Sequence, residues 1–457
     1  MRDMTVGKPL PLIMKFALPL LISNFFQQLY SISDILLVGH LLGVKALAAV
    51  GAAAPIFFFL VMACIGFTNG LTVIAAQSFG AKNFEKLRRS VVTATFLSFS
   101  FTIIFSLSVY FLMDRILILM NLPQEIFKDT KDFLQILCYG VIMIVCFNFL
   151  SGLMRALGDS KTPLYFLIFT TLLNIVFNVI FIYFCKMGVR GSSLGTVTAM
   201  SVSVFACLFY IKKHFTVLLP HKQDLVIRWN FCKQHLIIAL PMAVQFSIIA
   251  LGSAITQTIC NKFGFVTIAA MTAAMRIEQV AGQPMVSLGI AMSTYVAQNY
   301  GAGKIARLRR GVLQCSIVSF AASLFLAMLV FVFGREIVDV FVPKEQPELV
   351  GEIISLARTY LKISVVFYFF LGQIFIFRNS CQGMGNSVSP MVSSIVELLM
   401  RAFAAIYLTK IFGFVGLCFA SPLAWIGGAL VVAVGYFRTI IKISKKIKKK
   451  RDNSCGY

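Results

Sequence analysis

Charge is what this 457-residue chain has least of: Asp, Glu, Lys and Arg together make up 13%, while 59% of residues are hydrophobic. The charges fall mostly between apolar runs long enough to cross roughly 30 Å of hydrocarbon, which excludes a soluble enzyme. Acid is scarcer than base, with 17 Asp and Glu against 41 Lys and Arg and a net charge of +24. That excess does not point to nucleic acid. Much of it sits in loops and in the closing stretch KISKKIKKKRDNS, a basic cytoplasmic tail suited to anionic lipid headgroups. Histidine is rare. His40, His214, His221 and His235 all lie near segment ends and leave little material for a metal or catalytic centre within the membrane. The 11 cysteines form no C-x-x-C pair and read as small reduced core residues. No cleavable signal peptide is evident, because the run opening at Leu10 is too long for one.

What is there instead is an all-α integral membrane protein of twelve spans. They are expected over about 10–38, 47–77, 91–113, 133–157, 163–185, 193–211, 235–260, 268–298, 312–333, 354–383, 390–412 and 415–437. Each must be helical, since lipid offers unpaired backbone groups no partner. Alternate loops are rich in Lys and Arg, such as Lys82, Lys86, Arg88 and Arg89 in one and Lys304, Arg307, Arg309 and Arg310 in another. Those loops belong in the cytoplasm, and both termini with them.

The chain repeats itself. AAQSFGAKNFEKLRRS at Ala75–Ser90 returns as VAQNYGAGKIARLRRG at Val296–Gly311, ALPL at Ala17–Leu20 as ALPM at Ala239–Met242, and GDSKTP at Gly158–Pro163 as GNSVSP at Gly385–Pro390. Matches in the same order mark an internal duplication. Six spans per copy is even, so the copies share one orientation, related by a pseudo-twofold axis along the membrane normal. The expected domains are an N-lobe over 1–213, a linker over 214–233, a C-lobe over 234–441 and the tail over 442–457.

Asp34 is the only charge between Lys15 and Lys45, deep in an apolar segment. A carboxylate there costs several kcal/mol unless compensated, and an ion or proton site is the default reading. The fifth span carries Asn174 and Asn178 four residues apart, hence on one face. From span order and direction, Asn178, Thr196 and Asp34 fall at similar height, with Asn174 about one turn (5–6 Å) deeper. One carboxylate with amide and hydroxyl oxygens suits a proton relay or a small hard cation. The same residues also serve the plainer role of stitching helices together. In the second half, Glu278 lies about eleven residues into its span, and either attracts a cationic substrate, carries a second proton or compensates a charge on another helix. It does not face Arg276, two residues away. Glu397 and Arg401 are spaced for an internal pair. Asp159, in a loop turn, reads as a gate or cap.

With these features in hand, the chain resembles the multidrug and toxic compound extrusion (MATE) family along nearly its whole length. The resemblance rests on GKPLPLIMKFALPLLISNFFQQLYSISDILLVGHLLG, the paired Q-x-x-G-A motifs, GDSKTP and the duplicated twelve-span plan. It is closest to the DinF-like branch, whose coupling-ion cluster Asp34, Asn174, Asn178 and Thr196 resemble. That branch commonly carries Asp where this chain has Asn178, so a tight Na⁺ site is weakened and Asp34 is left as the main protonatable group. Acids expected of a NorM-like C-lobe site are also missing, since the seventh span offers Gln245 instead.

The resemblance implies a secondary-active multidrug efflux antiporter of the cell membrane, not an enzyme. It would exchange amphipathic, cationic organic compounds for H⁺ or Na⁺ by alternating access. Glu278, Gln245, Tyr30, Tyr139 and Phe26 are the candidate substrate-cavity residues. Asp34, Asn174, Asn178 and Thr196 would be metal ligands only under Na⁺ coupling. No cofactor beyond the coupling ion is called for. The expected partners are drug-like cations and membrane lipids, with no nucleic acid, and the expected state is a monomer. The alternatives are a lipid-linked oligosaccharide flippase, for which Arg276 and Arg401 supply few cations, and an integral membrane lipid-modifying enzyme or a channel. The latter two lack a clustered catalytic constellation and a filter-like polar loop.

Overall fold

Segments this apolar must bond their own backbone. In the computed structural model, which describes residues 2–340 and 347–454, they do so as long helices. The first half contains α1 (Pro9–Leu42), α2 (Val44–Gly80), α3 (Phe84–Leu119), α4 (Gln124–Ala156), α5 (Lys161–Val179) and α6 (Val189–His214). The second contains α7 (Trp229–Cys260), α8 (Phe265–Gly301), α9 (Ile305–Asp339), α10 (Pro347–Val366), α11 (Tyr368–Gly383), α12 (Val388–Phe403) and a last helix, Ala420–Ser454. Two of them widen into a single π turn: α5 at Ile180–Phe184 and α12 at Ala404–Leu408.

Among the described residues, ten stretches are long and apolar enough to cross a membrane, and α10 with α11, bent by 51°, makes an eleventh. The bend falls at Phe367, whose φ of -99° and ψ of 3° interrupt the helical hydrogen bonds. The twelfth expected span is α8. Its 37 residues are ample, but Arg276, Glu278, Gln279 and Gln283 lower its apolar content. Basic tail residues continue the last helix to Ser454, and the tail's residues 455–457 lie outside the described residues.

The chain divides into two compact units, one of 1–6 and 18–247, the other of 7–17 and 248–457. In the first, Val38, Leu60, Cys64, Met113, Leu117 and Leu134 build the core. A Gly66-x-x-x-Gly70 pair lets α2 and α7 touch backbone to backbone. A Cβ on Gly66 would stand 2.6 Å from the Met242 carbonyl, and one on Gly70 2.5 Å from the Ala239 Cα. Small residues at that spacing are how helices approach closely in lipid. In the second unit Met271, Ala274, Tyr360, Leu361 and Trp425 form the core, with the Tyr368 and Trp425 rings edge to face at 5.8 Å. Outside, α9 shows Leu313, Ile317, Leu324, Phe325 and Met328. Such a surface is costly in water and at ease against acyl chains.

The repeated basic motif forms the same turn twice. Asn83 caps α3 by accepting the Lys86 N–H at 2.9 Å, and Lys82 and its counterpart Gly303 both take positive φ. The connection from α6 to α7 spans 215–228 and is tied down by Asp224, which accepts the Arg88 Nε–H at 2.6 Å.

Candidate ion-coupling site

Phe26, Tyr30 and Asp34 recur every four residues and so share one face of α1. Opposite them stand α5, where Asn174 and Asn178 are fully buried, and the start of α6, where Ser192 and Thr196 are buried. The four expected coupling residues converge in one hydrogen-bonded network inside the first unit. Asn178 Nδ2 donates to Asp34 Oδ1 at 2.8 Å and to Asn174 Oδ1 at 3.2 Å. Asn174 Nδ2 donates to Thr196 Oγ1 at 3.1 Å. Tyr30 donates to Thr196 Oγ1 and Ser192 to Asp34 Oδ1, both at the long distance of 3.5 Å.

Donor accounting exposes what the network lacks. Both amide hydrogens of Asn178 are spent, so its orientation is fixed by its partners. Its Oδ1 is buried and has no hydrogen-bond partner among the described residues. A buried acceptor left empty costs about 1–3 kcal/mol and marks a place for a proton, water or ion. Gly195 lets Asn178 sit there, because a Cβ at that position would stand 2.1 Å from Asn178 Oδ1. The π turn Ile180–Phe184 follows immediately, and such turns collect at functional sites. Sequence reading missed Ser192 and Gly195. Ser192 was findable, being one turn before Thr196 on the same face.

Of the substrate-cavity candidates, Tyr30 belongs to that network through Thr196, and Phe26 shares its face of α1. Phe26 is half-buried and Gln245 is buried on α7. Tyr139 is 65% exposed and packs on Tyr110 with ring centroids 5.3 Å apart. Glu278 belongs to the second unit, where its Oε2 accepts the Tyr360 hydroxyl at 2.7 Å. Arg276 is exposed, whereas Arg401 is near enough to Glu278 to attract it.

The expected Glu397–Arg401 pair is not the one formed. Glu397 binds Arg378 of α11, and Arg401 donates to Ser421 Oγ at 3.1 Å. Spacing along one helix permits a contact, but a buried guanidinium on the facing helix wins, because it has no water to fall back on. Asp159 acts as a cap, accepting the Thr162 N–H at 3.1 Å and the Thr162 hydroxyl at 2.7 Å. Among the described residues no group of three or more His, Cys, Asp or Glu is placed to hold a metal ion.

A family model described as MatE matches residues 19–180 and 241–408, most of both halves. The chain belongs to the MatE family. It is 28% identical over 444 residues to the probable multidrug resistance protein YoeA of Bacillus subtilis (strain 168), covering 93% of each chain. It is 26% identical over 407 residues to the probable multidrug resistance protein YpnP of the same organism, covering 89% of this chain and 90% of the relative. In fold it is similar to a crystal structure of MATE in the bent conformation, with a TM-score of 0.86, 22% identity and 97% of each chain covered. It is thus a multi-pass membrane protein of the MATE multidrug-efflux transporter family, built on the twelve-helix, two-lobe plan.

Proposed function

We propose that this MatE-family chain is a monomeric secondary-active antiporter of the plasma membrane, with both termini in the cytoplasm. It exports amphipathic, cationic organic compounds in exchange for H⁺ or Na⁺, its two lobes alternating access to a central site. One observation supports Asp34 as the coupling group: its carboxylate is joined to an otherwise closed amide network that holds one empty acceptor, Asn178 Oδ1.

The network favours a proton over sodium. A hard cation of this size wants five or six oxygens, but Asn174 Oδ1 and Thr196 Oγ1 are already engaged by amide hydrogens. A proton needs one acceptor. Protonated Asp34 can no longer accept from Asn178 Nδ2 as strongly, and it gains a hydrogen of its own for Asn178 Oδ1. Exchanging a charge-assisted bond for a neutral one changes the tie between α1 and α5 by about 1–2 kcal/mol. That is enough to bias a balanced two-state helix. The flippase reading gains no support from the cations of the second unit, since Arg378 is held by Glu397 and Arg401 by Ser421.

The test is uptake or release of a fluorescent lipophilic cation by proteoliposomes, with pH and sodium gradients imposed separately. A pH gradient alone is expected to drive transport. Drive by sodium alone would reassign the ion, and drive by neither would overturn antiport.

A further inference from the structure

Where the last helix leaves its apolar stretch, Arg438, Lys442 and Lys446 follow one another at four-residue intervals. That spacing lines their side chains along one face. The face borders a groove of about 890 Å³ between the last helix and the beginning of α12, wholly within the second unit. Val388, Val392, Leu430 and Val434 form its apolar wall, each between 39% and 60% exposed. The two ends of the groove therefore differ in chemistry, apolar towards the bilayer interior and cationic towards the basic loops.

None of the three cations has a carboxylate partner among the described residues. The polar wall between them is already satisfied: Asn386 Nδ2 donates to Ser389 Oγ at 3.0 Å and to Thr439 Oγ1 at 2.8 Å, so it holds α12 and the last helix together. Among the described residues no acid lines the groove. A cavity of this size, half hydrocarbon and half unpaired positive charge, is complementary to a molecule with the opposite ends reversed.

We propose that this groove is a binding site for one anionic phospholipid. Its phosphate lies against Arg438, Lys442 and Lys446, and an acyl chain lies along Val388, Val392, Leu430 and Val434. The assignment needs only the membrane placement of the chain and is independent of what is transported.

Native mass spectrometry of the purified full chain in detergent tests it, with phosphatidylglycerol, cardiolipin or phosphatidylcholine added. The anionic lipids are expected to be retained and phosphatidylcholine lost. Each cation near the headgroup is worth about fivefold in binding, so Arg438→Gln with Lys442→Gln should weaken retention by more than tenfold. Lys445→Gln removes one charge from the same helix outside the groove and should leave retention nearly unchanged. Val392→Phe narrows the apolar wall without altering charge and should weaken it. The proposal is overturned if Lys445→Gln acts as strongly as the groove variants, which would mean diffuse attraction. It is equally overturned if phosphatidylcholine is held as well, if Val392→Phe has no effect, or if glycerol 3-phosphate displaces the lipid.

Discussion

Aligned on the turns at Gly158 and Gly385, the two halves set Asn174 opposite Arg401 and Asn178 opposite Ala405. Aligned on Gly188 and Gly413, with φ of 60° and 57°, they set Thr196 opposite Ser421. ALPL and ALPM set Asp34 opposite Thr256. The skeleton has survived duplication. Asn174 donates to Thr196 at 3.1 Å, Arg401 to Ser421 at 3.1 Å, and a π turn follows in both copies. The charge has not survived. The first half holds a carboxylate with an empty acceptor beside it, whereas the second holds a guanidinium with its bond made. If Asp34 couples as proposed, one scaffold offers a place for an ion to come and go in one copy and a fixed cation in the other. Of the acids in the spans of the second half, Glu397 is tied to Arg378, and Glu278 arrives from a different helix and is held by Tyr360.

The sharpest way to break that contrast is to remove the one acid that the first half can switch. Asp34→Asn keeps the shape and removes the titratable charge. Gradient-driven export in proteoliposomes is expected to fall to background, while membrane insertion and thermal stability persist. Undiminished transport would rule out Asp34 as the coupling group.

In the second half the largest effect should fall on stability instead. Glu397→Gln leaves Arg378, which is 5% exposed, without its counter-charge. Breaking a buried pair from one side costs about 3–5 kcal/mol. A melting curve of the purified protein should show a marked drop, and a variant melting like the parent would mean that Arg378 finds other partners.

A smaller effect is expected at Glu278. If its role is to attract cationic cargo, Glu278→Gln should weaken the apparent affinity for a monovalent cation by about three- to tenfold, the scale of one partly screened charge pair. The dependence on pH gradient should stay as it was. A changed gradient dependence would put a second coupling group in the second half and remove the contrast.

The residues that sequence could place are those governed by spacing on a single helix. Asp34 stood out as a lone acid, and Asn174 with Asn178 as a four-residue pair, and all three meet in the structure. Ser192 obeys the same rule, one turn before Thr196. What spacing cannot supply is the rotation of one helix against another. That is why spacing does not show Arg378 and Tyr360 as the partners of Glu397 and Glu278. The twelve spans were legible because each is long and apolar. Only α8 was diluted by its own polar residues, and its length compensates.

The mildest contrast lies in the repeated Q-x-x-G-A-x₅-L-R-R turns, where Arg88 and Arg309 are counterparts with different partners. Arg88 holds Asp224 of the connecting segment, with Arg89 Nε farther off at 3.9 Å and the His221 N–H donating at 3.0 Å. Arg309 holds the Ser444 hydroxyl at 3.0 Å. The bond from Arg88 keeps the Asp224 carboxyl below its usual range. A group whose folded value is depressed contributes its full stabilisation above the unfolded value, about 3.9, and loses it as pH falls through the lower folded value. The clasp should therefore hold from neutrality down to about pH 4 and open below it, whereas the Arg309–Ser444 contact has no group titrating there. Amide hydrogen exchange, corrected for its intrinsic pH dependence, is the measure. Residues 216–224 should gain severalfold in relative exchange in acid, and Asp224→Asn should show that gain already at neutral pH. The segment around Ser444 should not change. If both turns loosened together in acid, the carboxylate would not be what distinguishes them.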